Sequence, residues 1–213
     1  MEYPVNLQLQ DRRCVVIGGG LVAERKVEAL VGANACVTVV APAVTYGLAR
    51  LSEQGAVEWI NRHYQQGDLE GYFLAICATN CSDINAAAAA EARAQGTLVN
   101  VVDAPKLCDF TMPSYIARGE LLITVSTGGK SPALTKRLRE ELESLYGPEY
   151  GYFLEIIGRA RENVRTQLAI SREREQFWRQ TIDMEMVDLL REGKFKEAEE
   201  RLHNAISRIG TQS

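Results

Sequence analysis

Apolar positions in the first hundred residues fall into short β-branched runs separated by stretches with helical spacing. "CVVIG" begins at Cys14 and precedes a helix over 21–32; "CVTVVAP" begins at Cys36 and precedes a helix over 44–54. Then follow "VEWINR", "YFLAICAT", a helix over 82–95 and "TLVNVV". Strands alternating with helices predict right-handed crossovers and a parallel sheet, an α/β Rossmann-like domain over residues 1–112. "INAAAAAEARAQG" reads as a crossover helix, since Ala is the best helix former and Gly96 stands where a helix stops. Past Pro113 the pattern changes. One further strand-like run, "ELLITVSTGG", precedes a helix in "SPALTKRLREELESLYG", where Ser131 can cap and Pro132 suits the first turn. This segment, 113–147, gives way at 148–213 to charged amphipathic helices.

The charge runs "SREREQFWRQ" and "REGKFKEAEERLH" read as solvated helix faces laced with pairs four residues apart. Phe177 and Trp178, with Ile170, Ile182, Val187 and Leu190, form the apolar stripe to be buried within the domain or across a dimer. An apolar share of 46% over 213 residues is ample for a packed core. A net charge of −4 leaves no overall positive field for nucleic acid or an anionic membrane. The five cysteines are read as reduced, buried thiols, with no metal site among them. "MEYPVNLQLQDRR" lacks the basic start and apolar core of a signal peptide, and no apolar run reaches about 18 residues, so a soluble cytoplasmic protein is expected.

Three stretches carry chemistry. Gly18, Gly20 and Ala23 fit G-x-G-x-x-A directly after a strand: a tight turn, a close backbone approach to a pyrophosphate, and close helix packing. The amides of the helix start would face the phosphates, the alternative being a merely tight turn. The second strand ends in Ala41 and Pro42, where an acid usually accepts the ribose hydroxyls, and no Arg stands there to meet a 2′-phosphate. Packing around Pro42 and Ala43 would hold the adenosine end, and the residues alone leave NAD against NADP open.

Asp103 follows "TLVNVV", at the strand end where open α/β sheets keep their ligand crevice. A carboxylate there can take a proton while hydride leaves to NAD; the bland alternative is a turn or capping Asp. "STGGKSPALTKRLRE" places Lys130, Lys136, Arg137 and Arg139 around a Gly pair and a helix start, an anion cradle or an ordinary capped helix with a wet basic face.

"VVIGGGLVAERK", "NVVDAPK", "F-x-MPS" and "VSTGGKSPALTKRLREELE" together resemble the precorrin-2 dehydrogenase/sirohydrochlorin ferrochelatase family, the siroheme-synthase N-terminal module, from Tyr3 to about Leu145. The resemblance implies NAD-dependent oxidation of precorrin-2 to sirohydrochlorin, and in bifunctional members insertion of ferrous iron to give siroheme. It implies a homodimer, with 113–147 as dimerisation region and 148–213 as a helical C-terminal domain. Carried over onto this chain, Gly18, Gly20, Leu21, Val22, Ala23, Pro42 and Ala43 are the NAD contacts and Asp103 is the catalytic residue. For the polycarboxylate macrocycle the expected binding residues are Lys106, Arg118, Thr127, Lys130 and Arg137. Thr127 stands where some fused members have Ser, keeping a hydroxyl. No methyltransferase domain follows, so a stand-alone form is expected. A different class of reading is an NAD-sensing module without turnover, which would need a partner-reading element; 148–213 shows no basic recognition helix. A purely structural dimerisation protein would leave "NVVDAPK" without a purpose.

Overall fold

Past its first residue, strand β1 (Arg13–Ile17) is wholly buried. Cys14 and Val16 point into one apolar cluster, Val15 and Ile17 into another, as the two-residue period of a strand covered on both faces requires. The computed structural model describes residues 2–209. Its chain divides into two units, one spanning Glu2–Met112 and one beginning at Pro113.

In the first unit α1 (Leu21–Gly32), β2 (Cys36–Val40), α2 (Tyr46–Glu53), β3 (Val57–Ile60), β4 (Leu74–Cys77), α3 (Ser82–Gln95) and β5 (Leu98–Val101) follow β1. The five strands are parallel, in the order β3-β2-β1-β4-β5. The chain therefore steps outward from β1 in both directions, which puts a topological switch point between β1 and β4. Helices α1 and α2 cover one face through Ala23, Val27, Leu30 and Leu48. Helix α3 covers the other through Ala88, Ala89 and Ala92, all fully buried, whose small side chains let it lie close to the sheet. Gly96 ends α3 in the left-handed conformation at φ 74°.

Glu91, on the buried side of α3, is only 5% exposed. Its carboxylate accepts hydrogen bonds from Tyr64 Oη at 2.5 Å, Leu69 N at 2.8 Å and Gly67 N at 3.1 Å. These bonds pin the 64–69 segment that leads into β4. Burial, and then the Glu91 carboxylate, push the Tyr64 phenol up, so it remains the donor.

The second unit departs from the single strand expected before α4. Ser114–Arg118 forms β6, antiparallel to β7 (Leu121–Val125), joined by a two-residue turn at Gly119 and Glu120. Gly119 takes φ 56°, the mirror-type turn conformation that suits strand twist. Only Ile116 of β6 is buried, so the strand carries little apolar signal. Then come α4 (Pro132–Leu145), α5 (Glu149–Gln167), α6 (Ser171–Thr181), α7 (Met184–Arg191) and α8 (Phe195–Ile209). Phe153 and Ile156 of α5, Met186 and Leu190 of α7, and Ala198 and Leu202 of α8 make their shared core, with Trp178 at its margin. Leu190 is thus buried as its place in the stripe implies, whereas Ile170 and Ile182 stay 58% and 37% exposed. Ile182 lines a cleft of about 720 Å³ between α5 and α6, together with Ile157 and Trp178. Among the described residues no helix is long and apolar enough to cross a membrane.

Replacing Glu91 with Ala would strand the amides of Gly67 and Leu69 and the Tyr64 hydroxyl in a buried setting. The expected loss, read by denaturant unfolding, is about 2–4 kcal/mol. A variant as stable as the parent would show that the clamp contributes nothing.

Candidate active site

The turn after β1 is stitched to the end of β2. Gly18 N donates to Val40 O at 3.0 Å, and Thr45 N donates to Gly19 O at 2.9 Å. Gly18 takes φ 126°, and a Cβ there would lie 2.5 Å from Ala78 O, just past β4. Only glycine meets both demands. The middle glycine, which the motif treats as variable, is equally constrained: a Cβ on Gly19 would collide with the Ala43 carbonyl oxygen. Gly20 differs from both. Its φ of −82° suits any residue, and an added Cβ would meet open space.

Helix α1 begins at Leu21 with no side chain capping it. The first-turn amides of Leu21, Val22 and Ala23 have no acceptor in their own helix, which leaves them free to meet an anion. Ala23 is fully buried against the sheet, and Leu21 is exposed. A bare glycine, an uncapped helix start and a turn lying at the switch point together fit the pyrophosphate of a dinucleotide.

Strand β2 ends at Val40, and Ala41, Pro42 and Ala43 follow it. Ala41 is buried, and its carbonyl accepts from Trp59 Nε1 at 2.9 Å. Pro42 and Ala43 are exposed, and residues 41–45 contain neither an acid nor an arginine. Glu24 of α1 places its carboxylate against Gly47, in the first turn of α2.

Asp103 lies two residues beyond β5 at φ 59°. Asp tolerates this left-handed conformation better than most residues. The backbone is that of a turn, yet the exposed carboxylate makes no hydrogen bond or ion pair among the described residues. The turn follows from the edge that β5 presents. Val99 N donates to Asp109 Oδ2 at 3.0 Å and Val101 N to Cys108 Sγ at 3.1 Å, while Asp109 N donates to Val99 O at 2.8 Å. Asn100 Nδ2 holds Phe110 O at 2.9 Å. The chain must therefore reverse over residues 102–107 to run back along the open edge, and Asp103 is at the reversal. Cys108, Asp109 and Asn100 thus fix the backbone of this turn, and the sequence reading missed them. Lys106 is exposed on the 3₁₀ turn Pro105–Leu107, close to Asp103 in sequence.

The other expected binding residues lie in the second unit and do not all converge. Lys130 and Arg137 are exposed near the start of α4. Arg118 is at the hairpin turn, where its Nε donates to Tyr146 O at 2.9 Å, just past the far end of α4. The helix has 14 residues, so about 20 Å separates its ends. Thr127 is part of a closed hydroxyl chain: Ser131 N donates to Thr127 Oγ1 at 3.1 Å, and Thr135 Oγ1 lies 3.1 Å from that oxygen while donating to Ser131 O at 2.9 Å. Ser131 caps α4 through Leu134 N, with Pro132 in the first turn.

The cysteines need one correction. Cys14 and Cys77 are buried, and burial pushes their thiols up to about 11 and about 12. Cys36 and Cys81 are exposed, because one opens β2 outside the sheet core and the other precedes the first turn of α3. Among the described residues no group of three or more His, Cys, Asp or Glu could hold a metal ion.

Three family models match the chain in succession. "Putative NAD(P)-binding" covers residues 5–114, the sirohaem biosynthesis protein central region 118–145, and the sirohaem synthase dimerisation region 149–206. The dimerisation name thus falls on α5 to α8, and the central one on β7 and α4, beginning at the last residue of β6. The siroheme synthase of Methylococcus capsulatus is 37% identical over all of this chain and 45% of its own length. That of Pseudomonas aeruginosa is 38% identical over 98% of this chain and 46% of its own. The chain spans less than half the length of these curated relatives. A solved structure, "SirC, precorrin-2 dehydrogenase", superposes with a TM-score of 0.76 at 27% identity, over 95% of this chain and 100% of that one. With its NAD(P)-binding, central and dimerisation regions in that order, the chain belongs to the siroheme synthase family as its N-terminal module.

Proposed function

We propose that the protein is an NAD-dependent dehydrogenase that converts precorrin-2 to sirohydrochlorin. The observation that carries this reading is the Asp103 turn, which offers a carboxylate committed to no other group at the end of a strand in a sheet built to hold a dinucleotide. The SirC structure, named as a precorrin-2 dehydrogenase, supports the same chemistry.

Gly18 and Gly19 shape the turn, while Gly20 and the amides of Leu21, Val22 and Ala23 receive the pyrophosphate. Pro42 and Ala43 pack against the adenosine. We read the cofactor as NAD rather than NADP because residues 41–45, just past β2, contain no arginine, while the Glu24 carboxylate adds negative charge beside α2. When bound, NAD supplies the hydride acceptor. Loss of hydride from a ring carbon of precorrin-2 leaves a proton to be removed as the macrocycle gains conjugation, and Asp103 takes it. Lys106 binds a carboxylate arm of the macrocycle near Asp103, and Lys130 and Arg137 are offered to carboxylates as exposed cations of the second unit, which Arg118 and Thr127 shape.

The same carboxylate serves a second step, insertion of ferrous iron into sirohydrochlorin. The macrocycle's nitrogens become the ligands of the iron, so the protein needs only to accept the protons released. We place the reaction in a cytoplasmic homodimer, formed through the dimerisation region. The absence of any disulfide among the five cysteines accords with that compartment.

Asp103→Ala lowers NADH formation from precorrin-2 by about 10²–10⁴-fold with NAD affinity unchanged, the range for loss of a general base; an unimpaired rate removes Asp103 from the chemistry. Iron insertion, followed by loss of the sirohydrochlorin spectrum, slows in the same variant. Gly20→Ala keeps the parent's melting temperature, since its Cβ meets nothing, yet weakens NAD binding by about tenfold or more, or about 1.4 kcal/mol. Undiminished affinity, measured by calorimetry, would place the pyrophosphate elsewhere. Light scattering gives twice the mass of one chain.

A further inference from the structure

Sheets of this kind usually hold the adenosine ribose with an acid at the end of the second strand. In this chain Ala41 stands there, and it faces the glycine turn: a Cβ on Gly19 would lie 3.0 Å from the Ala41 Cβ. The corner that an acid usually fills is thus lined by a methyl group. Glu58 of the neighbouring strand β3 is not free to replace it, since it accepts from Thr38 Oγ1 at 3.1 Å.

A carboxylate reaches the same corner from α1. Glu24 N donates to Gly20 O at 2.9 Å, which sets the residue one helical turn below the bare glycine of the pyrophosphate site. Side chains of a helix lean toward its N-terminus, so the Glu24 arm runs back toward that glycine. Gly47, in the first turn of α2, marks where the arm ends: a Cβ there would collide with Glu24 Oε1 and lie 2.6 Å from the carboxyl carbon. Two residues before Gly47, the Thr45 amide donates to Gly19 O at 2.9 Å. Glu24 therefore stands where the glycine turn meets the loop that follows β2. It is half-buried, and its carboxylate makes no hydrogen bond or ion pair among the described residues. Helix α2 does not need it as a cap, because Thr45 Oγ1 already accepts from Leu48 N at 3.3 Å.

We infer that Glu24 takes the place of the missing strand-end acid: its carboxylate accepts from the hydroxyls of the adenosine ribose and repels a 2′-phosphate, so the site selects NAD over NADP. The inference rests on the dinucleotide reading of the glycine turn and names the residue that chooses between the two cofactors. Free ribose hydroxyls donate to a carboxylate in charge-assisted bonds. A 2′-phosphate brings like charge to the same place, and residues 41–45 hold no arginine to offset it.

The test is calorimetric titration of the full chain with NAD and with NADP, for wild type, Glu24→Gln and Gly47→Ala. Wild type is expected to bind NAD about tenfold or more tightly than NADP. Glu24→Gln keeps the shape of the side chain and removes its charge: NAD affinity falls about three- to tenfold and the preference over NADP shrinks to about twofold. Gly47→Ala keeps the charge, but its Cβ pushes the carboxylate from its place, so the same loss of preference is expected. Ala suits a helix better than Gly, and this second variant decides the matter should Glu24→Gln fold poorly. A preference retained in Glu24→Gln overturns the inference, even with a lowered melting temperature, since the carboxylate would then only support α2. Wild type that prefers NADP overturns it as well and leaves the glycine turn as the dinucleotide site. Wild type that binds neither dinucleotide sinks the reading of that turn itself.

Discussion

The close approach of the turn after β1 to the backbone just past β4 is the constraint on which the first unit depends. Gly18 brings its α-carbon so near the Ala78 carbonyl that no side chain could stand between them. The contact exists because β1 and β4 are neighbours in the sheet although two strands separate them in sequence. Where strand order reverses in this way, the helices on the two sides leave the strand ends uncovered. A chain with Ala at this position would have to move one strand end against the other, and the opening would close or distort. Gly19 repeats the constraint against Ala43, tying the same turn to the strand on the opposite side. Two glycines therefore position the first turn of α1 from two directions, and Gly20 is left bare for a ligand.

The Asp103 turn arises from a different necessity. Strand β5 ends the sheet, so alternate amides along its outer edge have no neighbouring strand. Cys108 and Asp109 satisfy Val101 and Val99 with side-chain atoms, and that obliges the chain to double back within a few residues of the strand end. A left-handed residue at the reversal is the geometric result. The cost is of order 1 kcal/mol for a non-glycine residue, and the edge bonds offset it. The proposed base is thus held by hydrogen bonds that never touch its side chain, which leaves its carboxylate free.

Most of the first unit was legible because its signals are local and redundant. β-branched runs, a glycine turn, an alanine helix and a terminal glycine each specify one element, and the parallel sheet follows from their alternation. Gly18, Gly20, Ala23 and the acid-free end of β2 could be named for the same reason. Gly19 could not, since its constraint comes from Ala43, a residue brought near only by folding. Cys108 and Asp109 were hidden similarly: nothing in "KLCDF" says that β5 is an edge. Strand β6 escaped because Ile116 alone points into the core, so its alternation barely differs from that of a loop. Arg118 shows the limit of reading charge without position, as its guanidinium is committed to a carbonyl at the far end of α4 from Lys130.

The charges around the two strand ends differ in kind, and this bears on what each can bind. At the glycine turn the positive character comes from backbone amides, which are fixed and fully formed before any ligand arrives. Such a site suits a pyrophosphate of constant shape. Lys106, near Asp103, is exposed on a long stem, so it contributes little alone and loses rotamer freedom on binding. A weak contact of that sort suits one carboxylate arm of a macrocycle that carries several.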